Sequence, residues 1–136
     1  MNVLIMGEEG ELHVAQCKAG ISLAAPGRND VKLVADIKTL IERLKNGQGL
    51  AMVPMEKLDR KTALTLITEA QKCRRTPYLV FVFQSSRQER RARRYATVAN
   101  VFAVGCADAT AMSEELNRRY ESSPGVSGEV VADARP

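Results

Sequence analysis

The chain has 136 residues, 45% of them hydrophobic, with no Trp and only 4% aromatics. That suits one domain with an aliphatic core and excludes wholesale disorder. Apolar runs such as Tyr78 to Phe83 are too short to span a bilayer and no basic region precedes the first of them, so a cytoplasmic location without membrane contact is expected. The net charge of +4 permits contact with acidic proteins or nucleic acid without selecting either.

In chain order, Val3 to Met6 predicts a buried strand closed by Gly7. From Glu8 to Gly20, Leu12, Ala15 and Ala19 favour a short helix over the strand that the alternation Glu11-Leu12-His13-Val14 permits. Ile21 to Ala25 reads as a second short strand, ended by Pro26-Gly27. After Asp30, Val34, Ile37, Leu40, Ile41 and Leu44 recur at helical spacing, and Asn46-Gly47 offers a left-handed stop. Leu50 to Val53 is a third strand, cut off by Pro54.

Asp59 can cap a helix with Ala63, Leu66, Ile67 and Ala70 on its apolar side. Tyr78 to Phe83 is the most strand-like run in the chain. A helix from about Arg87 to Ala99 would bury Ala92, Tyr95, Ala96 and Ala99. Val101 to Val104 is the fifth strand, and Ser113 caps a last helix with Glu114 and Glu115 in its first turn. Beyond Glu121 no apolar periodicity remains, so the expected organisation is an α/β domain over residues 1–121 and a disordered tail over 122–136. Strands and helices alternating at this interval imply right-handed crossovers and a three-layer, doubly wound parallel sheet.

Most familiar chemistries are missing. Cys17, Cys73 and Cys106 are odd in number and widely separated, which fits reduced, mostly buried thiols rather than a disulfide framework or a zinc site. His13 has no candidate nucleophile or orienting acid nearby in sequence and reads as a surface residue. Gly7-Glu8-Glu9-Gly10 lacks dinucleotide-binding spacing, and its acids would repel a pyrophosphate. No catalytic constellation, cofactor or metal is expected.

Five strand–helix units over roughly Met1 to Tyr120 resemble the receiver domains of two-component signalling. The most telling stretch is the Pro77 strand, the Ser85-Ser86 loop, a helix, a short apolar strand and a closing helix. The resemblance implies a flavodoxin-like sheet of five parallel strands in order 2-1-3-4-5. It also implies a site: acids after the first strand for magnesium, an acceptor Asp ending the third, a hydroxyl ending the fourth and a Lys ending the fifth. The metal and the lysine would offset the charge of a transferred phosphoryl group.

Here Glu8 and Glu9 stand one step late, after Gly7, and Pro54 and Met55 occupy the acceptor position. Ser85 or Ser86 could supply the hydroxyl, and Cys106 follows Gly105 where a lysine is wanted. The resemblance thus implies a vestigial pocket of Glu8, Glu9, Ser85 and Cys106 that is not phosphorylated on aspartate. Glu8, Glu9 and Glu56 read more simply as loop acids, and Ser85 as a helix cap.

The one unusual surface is basic. Arg87, Arg90, Arg91, Arg93 and Arg94 fall within eight residues, opposed only by Glu89. At about 100° per residue, Arg87, Arg90, Arg91 and Arg94 share one arc of a helix, and Arg93 flanks it. Arginine alone, rather than mixed Lys and Glu, suits recognition of carboxylates or phosphates by its planar fork. The expected partner is an acidic protein surface or another signalling protein, with a homodimer as a further candidate. Nucleic acid is the weaker alternative, because no second basic element and few aromatics accompany the helix.

Overall fold

The computed structural model describes residues 2–24, 30–46, 49–107 and 109–121, the last three of these by backbone only. The elements are β1 (Asn2–Met6), α1 (Leu12–Ala24), β2 (Asp30–Val34), α2 (Ile37–Lys45), β3 (Leu50–Pro54), a 3₁₀ turn (Met55–Lys57) and α3 (Arg60–Gln71). They continue as β4 (Tyr78–Phe83), α4 (Ser86–Tyr95), β5 (Val101–Gly105) and α5 (Ala109–Glu121). The strands form one sheet in the order β2-β1-β3-β4-β5, with every pair parallel. This is the flavodoxin-like α/β fold that the element order anticipated.

Each central strand is apolar on both faces because both faces are covered. Leu4, Ala51 and Phe81 pack with Leu40, Leu44, Leu66 and Ala92, which puts α2, α3 and α4 on one side. Val3, Ile5, Met52 and Val80 pack with Val14, Cys17, Ile21, Met112 and Leu116, which puts α1 and α5 on the other. With Trp absent, Phe81 is the largest wholly buried side chain, and its ring meets the edge of Tyr95 at 5.6 Å. Truncating it to Ala would cost about 3–5 kcal/mol and loosen α4 from the sheet.

Several boundaries differ from the sequence expectation. Ile21 to Ala24 is not a strand but the last turn of α1, because Val14, Cys17 and Ile21 continue one buried helical stripe. The second strand is Asp30–Val34, and Val34 therefore belongs to the sheet rather than to the helix that follows. β2 pairs only with β1, and as an edge strand it alternates exposed Asp30 and Lys32 with partly buried apolar residues. Charge on an edge strand discourages further pairing, and here it disguised the strand as a helix start.

α5 begins at Ala109, so Ser113 is an interior residue, buried, with its hydroxyl donating to the Thr110 carbonyl at 2.8 Å. α4 stops at Tyr95, which leaves Ala99 exposed beyond the helix. Asp36, not anticipated, caps α2, and Asp59 caps α3 as expected. Asn46 ends α2 at φ −93°, while Gly47, Ala25 to Gly27 and the expected tail over 122–136 lie outside the described residues. Among the described residues, no helix is long and apolar enough to cross a membrane.

Candidate functional site

The C-terminal ends of β1, β3, β4 and β5 meet at one edge of the sheet, where open α/β sheets place ligands. The structure brings Glu8, Glu9, Ser85 and Cys106 to this edge and engages the side chains of the last three elsewhere. Glu9 pairs with Lys18 at 2.6 Å on the surface of α1. The Ser85 hydroxyl accepts the Gln88 N–H at 3.2 Å as the N-cap of α4. The Cys106 thiol is buried and donates to Gln16 Oε1 at 2.5 Å. Burial holds that thiol above its usual pKa; a Gln84 hydrogen bond opposes the shift and the Glu56 carboxylate adds to it. A protonated, enclosed thiol is a poor nucleophile. Pro54 and Met55 close β3 in the interior, and neither carries an acceptor for a phosphoryl group.

The working contacts at this edge come from residues that sequence reasoning passed over. Glu11 Oε1 accepts the Glu8 N–H at 2.7 Å and Lys57 Nζ at 2.8 Å, so it joins the start of α1 to the turn after β3. The Lys57 ammonium, chiefly, and the Glu8 N–H hold its carboxyl below the usual range. Glu11 three residues after Glu8 is the spacing of a side chain reaching back to cap a turn, and that signal was available.

His13 is buried, against the expectation of a surface residue. Its Nε2 lies 2.9 Å from the Met6 carbonyl oxygen, so Nε2–H donates, and Nδ1 faces Glu56 Oε1 at 3.8 Å, beyond hydrogen-bond range. Gly7 makes this approach feasible, because a Cβ there would stand 2.6 Å from His13 Nε2 and 2.7 Å from Val14 Cγ2. Among the described residues, no three His, Cys, Asp or Glu side chains are placed to hold a metal ion.

The second candidate surface is α4. Ser85 fixes its start, the Gln84 N–H donates to Gln88 Oε1 at 2.7 Å, and Ala92 is its only wholly buried residue. Arg91 and Arg93 depart from the picture of five equivalent cations. Arg91 is half-buried, with Nη2 donating to the Leu58 carbonyl at 2.7 Å. Arg93 pairs with Glu89 at 2.8 Å and lies over the Phe83 ring, 5.6 Å from its centre. Arg87, Arg90 and Arg94 are exposed and have no ion pair among the described residues.

Neither the models of known families, nor the curated proteins, nor the solved structures contain a match to this chain.

A further basic group was not anticipated. Lys45, Arg74 and Arg75 line a cleft of about 590 Å³ beside the end of α3. Glu69 lies 3.3 Å from both Lys45 and Lys72, leaving Arg74 and Arg75 without an ion pair among the described residues. Sequence reading missed the group because its members come from the ends of two helices.

Proposed function

We propose that the protein is a non-catalytic regulatory module, receiver-like in build, that is not phosphorylated on aspartate and engages an acidic protein surface through α4. Intracellular signalling is the setting this reading implies. The observation that carries it is the exposed trio Arg87, Arg90 and Arg94, held on a capped helix without acidic partners among the described residues. Each guanidinium offers a planar fork to a carboxylate, and little of its donor capacity is spent within the fold. The sheet edge supports the same reading, since Glu11, Lys57 and Cys106 satisfy one another or their neighbours there.

Nucleic-acid binding is the second reading, favoured by the group around Arg74 and Arg75. Affinity capture with and without nuclease separates the two, comparing wild type with the Arg90→Ala/Arg94→Ala variant. The protein-partner reading expects proteins that survive nuclease and are lost with the double substitution. Capture abolished by nuclease would overturn it. Incubation with acetyl phosphate and magnesium should leave the mass unaltered, and a phosphoryl gain mapped to an Asp would refute the second half of the proposal.

A further inference from the structure

α3 and α4 enclose a cleft of about 410 Å³ lined by Arg60, Leu64, Arg91, Arg94 and Tyr95. The volume falls within the ordinary range of ligand-binding clefts. Its composition is unusual, with three guanidinium groups around one aliphatic and one aromatic side chain. Leu64 is 44% exposed, although the rest of the α3 apolar stripe is buried. Tyr95 is half-buried and braced from behind by Phe81.

Arg60 occupies the first position of α3, where the helix dipole disfavours a cation and adds its own positive potential. Arg91 is fixed in place by the Leu58 carbonyl. The acid beside the cleft, Asp59, is committed to the Thr62 N–H as the cap of α3. Like charges gathered around an apolar floor repel one another and gain most from an anion that also brings an apolar group.

The geometry points to this cleft as the docking site for an acidic polypeptide segment carrying one apolar side chain. Its carboxylates meet Arg60, Arg91 and Arg94, and its apolar side chain covers Leu64 and the Tyr95 ring. Charge complementarity selects the acidic segment, and the Leu64–Tyr95 floor selects the apolar anchor over a bare polyanion. This deepens the α4 reading and rests on it, but moves the centre of contact from the outer arc of the helix to its junction with α3.

Fluorescence anisotropy on the full chain tests the assignment with three probes: a seven-residue acidic peptide with one central leucine, the same peptide with serine in its place, and a short DNA duplex. The leucine peptide should bind about tenfold more tightly than the serine peptide, as expected for one aliphatic side chain buried. Leu64→Ser should remove that tenfold advantage while leaving the serine peptide unaffected. Because Leu64 is part-exposed, this variant should fold, and circular dichroism checks that it does. Arg60→Ala/Arg94→Ala should weaken both peptides at least tenfold, and Arg87→Ala/Arg90→Ala should change them less than threefold.

Equal binding of the two peptides, lost only with Arg87→Ala/Arg90→Ala, would overturn the cleft and leave the α4 reading standing. A duplex that binds more tightly than either peptide would overturn both.

Discussion

Replacing the α4 arginines one at a time with Ala separates cations that hold the fold from cations left for binding. Arg91→Ala removes a charged hydrogen bond of 2.7 Å to the Leu58 carbonyl. Such bonds contribute about 1.5–3 kcal/mol, and the half-buried site lets water replace part of the loss, which argues for the lower end. In a domain of 136 residues, 1 kcal/mol moves the melting temperature by about 4 °C, so a fall of about 6 °C is expected. Arg93→Ala gives up an i,i+4 ion pair and a ring contact. At about 0.4 and 0.6 kcal/mol these correspond to about 4 °C. Arg87→Ala, Arg90→Ala and Arg94→Ala should each stay within about 0.5 kcal/mol of wild type, or about 2 °C, since no ion pair is lost. Thermal unfolding followed by circular dichroism reads all five. If Arg91→Ala melts with the exposed variants, the Leu58 contact does not order α4 and the distinction between structural and free cations collapses.

Three further outcomes follow from the same contacts. A thiol reagent at neutral pH should label Cys73 first, because burial pushes Cys17 up to about 12 and raises Cys106, whereas Cys73 is half-exposed; rapid native labelling at Cys17 or Cys106 would refute the packing of α1 on α5. Gly7→Ala forces a Cβ to within 2.6 Å of His13 and should cost about 2–3 kcal/mol in urea unfolding, so a loss under 0.5 kcal/mol would show that α1 does not sit this close to β1. The Thr39 and Thr62 N–H groups hold the Asp36 and Asp59 carboxyls below their usual values, so the unfolded chain takes up those protons first. Their contribution is therefore complete above the ordinary carboxylate range and lost as pH falls through the lower native values. The gap in stability between wild type and Asp36→Asn/Asp59→Asn should shrink on acidification, and a gap constant into strong acid would refute the caps.

The sheet was legible where a residue's surroundings are uniform. β3 and β4 are interior runs whose apolar residues face helices on both sides; β5 is an edge strand, but its apolar residues also pack into both clusters, and the limits of all three were found to within a residue. β2 was missed because, unlike the other edge strand β5, it carries exposed Asp30 and Lys32, which imitate a helix surface. The end of α1 was missed for the converse reason: a helix apolar on nearly all sides leaves Ile21-Ser22-Leu23-Ala24 without a polar stripe to mark it. The basic helix could be read from sequence, but not the inequality among its cations. Arg91 meets Leu58 across 33 residues, and the Arg60–Arg94 cleft joins two helices, so neither had a local signature. His13 failed similarly, since its partner at Met6 is a backbone carbonyl that every residue possesses.

Charge placement connects the fold to the proposed binding. α4 carries five arginines and one glutamate, a net charge of +4, which equals the charge of the whole protein. The remaining residues therefore sum to zero, and the far field is dominated by one short helix and whatever lies beside it. At about 0.15 M salt that field decays over about 8 Å, so it acts on partners that already approach the α3–α4 side. An acidic partner of the proposed kind would be oriented by it during encounter, and added salt should slow association more than it speeds dissociation. Retention then depends on short-range contacts, which the outer arc of arginines cannot supply because it exposes no apolar group. In the proposed cleft, Leu64 and Tyr95 would supply that contact, beside Arg94 and an Arg91 already held by the Leu58 carbonyl.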